Sequence, residues 1–212
     1  MSIEEKIKEY GLVPVVVINR VEDALPLAKA LVEGGLPVAE VTFRTKAAKD
    51  AIKAMSKEYP DMLIGAGTVL TTTQVDEAIN AGAKFIVSPG FDGEVVDYCL
   101  AKNVPVMPGI VTPSELMMAI KKGLNIVKFF PAEISGGVAA IKNLAAVFPG
   151  VSFMPTGGIN EKNLADYLAC NKVIACGGTW MVNGKLIDAG DFETIKAKTK
   201  EAVTLVDKIR NV

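Results

Sequence analysis

Histidine does not occur anywhere in the 212 residues. Its absence excludes Ser-His-Asp and Cys-His triads, HExxH zinc sites and imidazole acid–base relays. Any chemistry must run on lysine, carboxylates, tyrosine, cysteine, hydroxyls or a cofactor. Cysteine is scarce: Cys99, Cys170 and Cys176 are odd in number and scattered. They form neither a disulfide framework nor a zinc set, and read as reduced packing residues of a cytoplasmic protein. Charge of either sign is not in surplus, since 23 Lys+Arg face 24 Asp+Glu for a net charge of −1. With no basic stripe there is no nucleic-acid footprint. No apolar run approaches the ~18 residues of a membrane span. The opening MSIEEKIKEY is charged and amphipathic, unlike a secretory signal.

Half of the residues are hydrophobic and 22% are charged, as in an ordinary globular protein. The length suits one (β/α)8 barrel or one large α/β domain, and a single domain over 1–212 is expected. Short Val- and Ile-rich runs lie at 12–18, 37–43, 62–68, 85–88, 104–108, 126–130, 151–155 and 173–176. They recur about every 20–26 residues, the spacing of βα units. Their near-continuous apolarity suits parallel strands covered by helices. Helical patterns intervene. Ala24, Leu27, Ala28 and Leu31 mark 22–33, which stops at Gly34-Gly35. Thr71-Thr72-Thr73 precede 74–81, and Thr112-Pro113 open a helix to Lys121. Asn160 is expected to cap 161–169, Asp191 opens a last helix to about 209, and 3–10 adds a helix before the first strand. The pattern predicts an α/β fold, a (β/α)8 TIM barrel with an extra N-terminal helix. A doubly wound open sheet is the alternative, but its GxGxxG is missing from the first strand–helix turn.

In such a barrel the site lies at the C-terminal ends of the strands. Lys128 stands among apolar neighbours in Ile126-Val127-Lys128-Phe129-Phe130. Taken out of water an ammonium loses its solvation, and the neutral amine is the nucleophile that makes a Schiff base. The alternative is a lysine that snorkels or pairs with a carboxylate. Glu40 is embedded in the same way in 37–43. Paired with Lys128 it is either a base beside an imine or half of a plain buried ion pair. Arg44 follows at the strand mouth, able to grip a carboxylate through two hydrogen bonds or simply exposed. Two glycine-rich segments, Pro155-Thr156-Gly157-Gly158 and Cys176-Gly177-Gly178-Thr179, follow the seventh and eighth runs, where barrels often bind phosphate through backbone N–H groups. Gly65, Gly67 and Gly90 are read as tight-turn glycines. Met117-Met118 read as helix core or interface packing, and Glu133 is left outside the site.

Together these residues resemble the KDPG/KHG (2-keto-3-deoxy-6-phosphogluconate) aldolases. The resemblance runs from Val13 to the last helix. It rests on Glu40-Val41-Thr42-Phe43-Arg44-Thr45, Gly65-Ala66-Gly67-Thr68-Val69, Val87-Ser88-Pro89-Gly90, Pro108-Gly109-Ile110, Lys128-Phe129-Phe130-Pro131-Ala132-Glu133, Pro155-Thr156-Gly157-Gly158 and Gly177-Gly178-Thr179-Trp180. It implies a class I aldolase working without metal or cofactor on a phosphorylated keto acid. Lys128 is implied as the Schiff-base lysine, Glu40 as the acid–base glutamate and Arg44 as the carboxylate-holding arginine. It further implies that Thr68, Pro89, Phe130 and Thr156 line the substrate pocket. Gly157, Gly158, Gly177 and Gly178, with Thr179, are implied to hold phosphate. Thr179 stands where the family usually has serine, and Val17 where many members have arginine. Thr156 points to the gluconate rather than the galactonate epimer. A homotrimer is implied. The competing readings are a main activity on 4-hydroxy-2-oxoglutarate or oxaloacetate, and a non-catalytic phosphate-binding barrel.

Overall fold

A computed structural model describes residues 1–210; positions 211–212 of the expected domain lie outside the described residues. The chain begins with α1 (Ile3–Tyr10), whose Ser2 and Glu5 form a reciprocal capping box, and which ends at Gly11 with φ 65°. The strands are β1 (Leu12–Val16), β2 (Val38–Thr42), β3 (Leu63–Gly67), β4 (Phe85–Val87), β5 (Val106–Met107), β6 (Gly109–Ile110), β7 (Ile126–Phe129), β8 (Ser152–Pro155) and β9 (Cys176–Gly178). All their pairings are parallel. One ladder runs β5-β4-β3-β2-β1-β9 and the other β6-β7-β8. β5 and β6 lie on either side of Pro108, whose missing N–H interrupts the expected run 104–108. Beyond β8, single bridges join Phe153 to Val173 and Thr156 to Gly177. The result is a curled parallel sheet.

Helices α2 (Ala24–Glu33), α3 (Ala48–Glu58), α4 (Thr72–Ala81), α5 (Gly93–Ala101), α6 (Pro113–Lys121), α7 (Gly137–Val147), α8 (Leu164–Leu168), α9 (Gly184–Asp188) and α10 (Phe192–Arg210) connect and follow the strands. Each long helix buries a stripe against the sheet: Ala24, Leu27, Ala28 and Leu31 on α2, for example, and Ala48, Ala51, Ile52 and Met55 on α3. β1, β2 and β3 are buried along their whole length, as strands covered on both sides must be. Thr112 and Glu115 form a capping box with Pro113 in the first turn of α6, as the sequence predicts. At the far end, the Arg210 guanidinium donates to the carbonyls of Glu9 (2.7 Å) and Ile174 (2.9 Å). It thereby satisfies open carbonyls at the end of α1 and fastens α10 beneath the sheet.

Several expectations need correction. The last strand is 176–178 rather than 173–176, because Gly177 and Gly178 pair with Val13 and Pro14 and so belong to the ladder, not to a loop after it. Helix 161–169 shrinks to α8. The Asn160 side chain accepts from Lys162 N (2.9 Å) and forms a turn, so the helix starts only after Asn163. Met117 and Met118 are about half exposed, which removes the core reading and leaves a surface one. The three cysteines are buried and unpaired.

Burial pushes the Cys99 thiol up to about 11, from an ordinary 9.0. The unfolded chain therefore releases this proton first. Stability is complete below pH 9 and falls as pH rises from 9 towards 11. Urea unfolding across that range should show the decline, and Cys99→Ala should flatten part of it. In the native protein at pH 8 the three thiols should resist a thiol reagent that labels all of them after unfolding.

Candidate functional site

Side chains alternate across a strand, so the third residue of β2 and the third of β7 can face the same interior. Glu40 and Lys128 do so. Separated by 88 positions in sequence, they meet with Lys128 Nζ 3.0 Å from Glu40 Oε1. Glu40 is completely buried and Lys128 is 4% exposed. Among the described residues Glu40 Oε2 has no hydrogen-bond partner. The ring of Phe130 lies 5.2 Å from Lys128 Nζ, within reach of a cation–π contact. Thr42 Oγ1 donates to the Val16 carbonyl at 2.8 Å and links β2 to β1 just past Glu40.

Room for the pair comes from β3. Gly67 lies opposite Thr42 in the β2–β3 register. A Cβ on Gly67 would stand 2.2 Å from Glu40 Oε1 and 2.6 Å from Cγ. A Cβ on Gly65 would enter the Phe85 ring at 2.2–2.5 Å. Both glycines are strand residues without positive φ, so the turn reading is wrong: they are space for neighbours. Gly90 likewise has no positive φ, and a Cβ there would meet nothing within 4 Å, so its backbone geometry does not demand glycine.

The glycine-rich segments are adjacent. Thr156 bridges Gly177, and a Cβ on Gly177 would come 2.2 Å from Thr156 Oγ1, which is buried and has no partner. Gly157 and Gly158 turn with φ 102° and 81°, values that favour glycine. Trp180 packs on Gly178, while Thr179 is exposed. Thr68 (φ 55°), Pro89 and Phe130 stand half-buried just past β3, β4 and β7. Arg44 is exposed two residues past β2 and makes no salt bridge or side-chain hydrogen bond among the described residues. Thus Lys128, Glu40 and Phe130 come together, as do Thr156 and Gly177, while Arg44 and Thr179 stand free at the rim. Among the described residues there is no cluster of three or more His, Cys, Asp or Glu suited to a metal ion, and no helix is long and apolar enough to cross a membrane. A buried amine beside a carboxylate with one free oxygen can hold and transfer a proton at a carbonyl carbon bound to that amine.

A family profile for KDPG and KHG aldolases matches residues 3–198. The chain belongs to this family. It is 48% identical, over 97% of its length and 98% of the relative's, to a 2-dehydro-3-deoxy-phosphogluconate aldolase of Treponema pallidum (strain Nichols). It superimposes with TM-score 0.91 and 40% identity on a KDPG aldolase from Legionella pneumophila with pyruvate captured at low pH as a covalent carbinolamine intermediate, covering 95% of this chain and 98% of that one. It is also similar to the 2-keto-3-deoxy-6-phosphogluconate aldolase of Zymomonas mobilis ZM4 with 3-phosphoglycerate, with TM-score 0.89, 41% identity and 96% of each chain covered.

For this family member the spatial role of Gly67 has a direct test. Gly67→Ala should drive the Glu40 carboxylate away from Lys128, visible in a crystal structure of the variant. Overpacking should cost about 1–3 kcal/mol in urea unfolding.

Proposed function

We propose that this chain is a class I aldolase that cleaves 2-keto-3-deoxy-6-phosphogluconate to pyruvate and glyceraldehyde 3-phosphate. The observation that carries this reading is the buried 3.0 Å contact between Lys128 Nζ and Glu40 Oε1, with the second oxygen of Glu40 free. It is supported by the family match and by the pyruvate and phosphorylated three-carbon acid seen with its Legionella and Zymomonas relatives.

Lys128 passes its ammonium proton to Glu40 and the amine attacks the C2 carbonyl to give a carbinolamine; Glu40 returns the proton to the departing hydroxyl, which leaves as water, and a protonated imine remains. Glu40, directly or through water, takes the proton of the C4 hydroxyl. The C3–C4 bond breaks, and its electron pair moves onto the imine nitrogen. Glyceraldehyde 3-phosphate leaves and an enamine remains on Lys128. Protonation at C3 and addition of water then release pyruvate and restore the amine. Arg44, exposed and unpaired at the rim, orients the substrate carboxylate. Thr68, Pro89, Phe130 and Thr156 border the bound substrate. Gly157, Gly158, Gly177, Gly178 and Thr179 receive the phosphate, whose binding energy holds the reacting carbons in place.

The same reading takes residues 1–212 as one cytoplasmic domain and closes the curled sheet into a (β/α)8 barrel preceded by α1. The separation of β5 from β6 by Pro108 alone and the Phe153–Val173 and Thr156–Gly177 bridges support that closure. It also takes the protein as a homotrimer, which suits the exposed Met117, Met118 and Ile120 on α6 and the exposed Ile134.

Turnover of the phosphorylated sugar acid should exceed that of 4-hydroxy-2-oxoglutarate in kcat/KM. Equal values would move the main activity to the smaller substrate. Lys128→Ala should abolish cleavage of both. It should also lose about 3–5 kcal/mol of stability, because a buried carboxylate is left uncompensated. The double variant Lys128→Met/Glu40→Gln should recover most of that stability without recovering activity.

A further inference from the structure

Glu133 opens a short 3-10 turn, Glu133–Ser135, after β7, and the mechanism makes no use of it. Its Oε1 nevertheless accepts a hydrogen bond from the hydroxyl of Tyr167, a residue of α8 that is only 1% exposed. Glu133 is the member of this pair that reaches the glycine turn after β8, and Tyr167 holds its carboxylate from α8. A Cβ on Gly158 would strike Glu133 Cβ and Cγ at 2.7 and 2.5 Å, so the Glu133 side chain packs directly on the bare face of that glycine. A Cβ on Gly157 would crowd Pro131 and Ala132 N at 3.3 Å, so the two backbones are in contact as well.

The hydrogen bonds of this turn are asymmetric. The Thr156 carbonyl accepts from Ala132 N (2.8 Å) and the Gly157 carbonyl from Glu133 N (3.1 Å). The Gly158 carbonyl accepts from the side-chain amides of Asn160 and Asn163, each at 3.1 Å. Three successive carbonyls are thus bound within the protein. The Gly157 N–H faces the Gly177 carbonyl across the Thr156–Gly177 bridge, whereas no hydrogen bond from the Gly158 N–H occurs among the described residues. A turn whose three acceptors are engaged while the Gly158 donor is not offers that donor to an anion.

We propose that Glu133 and Tyr167 are positioning residues that brace the turn Thr156–Gly158 and so fix the direction of the free Gly158 N–H towards the substrate phosphate. This rests on the functional reading above. Neither residue touches the reacting carbons in that reading. Their effect falls on recognition of the distal phosphate and leaves imine formation on Lys128 alone.

The test compares Glu133→Ala, Glu133→Gln and Tyr167→Phe with the unaltered protein on the phosphorylated sugar acid and on 4-hydroxy-2-oxoglutarate. Glu133→Ala and Tyr167→Phe should raise KM for the phosphorylated substrate about tenfold, the worth of roughly one hydrogen bond. Their kcat, and KM for the unphosphorylated substrate, should change far less. Glu133→Gln, whose amide oxygen still accepts from Tyr167, should retain the wild-type KM. Glu133→Ala combined with Tyr167→Phe should be no worse than Glu133→Ala alone, since Glu133→Ala already removes the shared contact. Equal losses on the two substrates, or no change in KM, would overturn the proposal. Should Glu133→Ala fail to fold, the contrast between Tyr167→Phe and Glu133→Gln decides it by the same KM criterion. If the unaltered protein itself shows no preference for the phosphorylated acid, the functional reading falls and this inference with it.

Discussion

A charged amine and a carboxylate held 3.0 Å apart in an interior that water barely reaches must each find compensation in the other, and the rest of this structure is arranged so that they do. Stripping either ion of water costs several kcal/mol, and the attraction between them returns that cost only when the geometry is good. A hydrophobic pair would serve stability as well. The contact therefore reads as chemistry tolerated by the fold. The curled parallel sheet brings β2 and β7, elements 88 residues apart at these positions, to face one interior. Gly67 leaves the space that the Glu40 carboxylate fills, and Phe130 offers its ring to the ammonium.

Chemistry and recognition occupy different parts of the framework. The proton-handling pair lies on strands and inherits their rigidity. The segments read as phosphate-binding lie at the ends of β8 and β9 and are joined to each other by the Thr156–Gly177 bridge. The turn after β7 connects the two regions. Residues 132 and 133 donate backbone hydrogen bonds to the carbonyls of Thr156 and Gly157, only a few residues after Lys128. Distance between the reacting carbon and the phosphate is thus set by one short stretch of chain, which suits an enzyme that uses remote binding energy to orient a reacting bond.

Much of this was legible in the residues. Val- and Ile-rich runs located the strands to within a residue or two at most ends, and the caps at Thr71 and Thr112 marked helices α4 and α6. Lys128 and Glu40 stood out because ionisable residues are rare inside apolar strands. What was not legible depends on neighbours distant in sequence. Gly67 looks like a turn residue until the fold sets it, as a strand residue opposite Thr42, where a Cβ would strike the Glu40 carboxylate. Gly177 and Gly178 look like loop residues until they pair with Val13 and Pro14. Asn160 resembles a helix cap, but its side chain closes a turn first. Glu133 has no local signal that ties it to the site, since its partner Tyr167 is 34 residues away on a helix that starts only after Asn163.

The central claim is that the Lys128 amine becomes covalently bound to a keto acid. Incubation of the folded protein with pyruvate and borohydride, followed by peptide mass analysis, measures this directly. A reduced pyruvyl adduct is expected on Lys128 and on no other lysine. A folded sample that carries no adduct, or carries it on a different lysine, would contradict it.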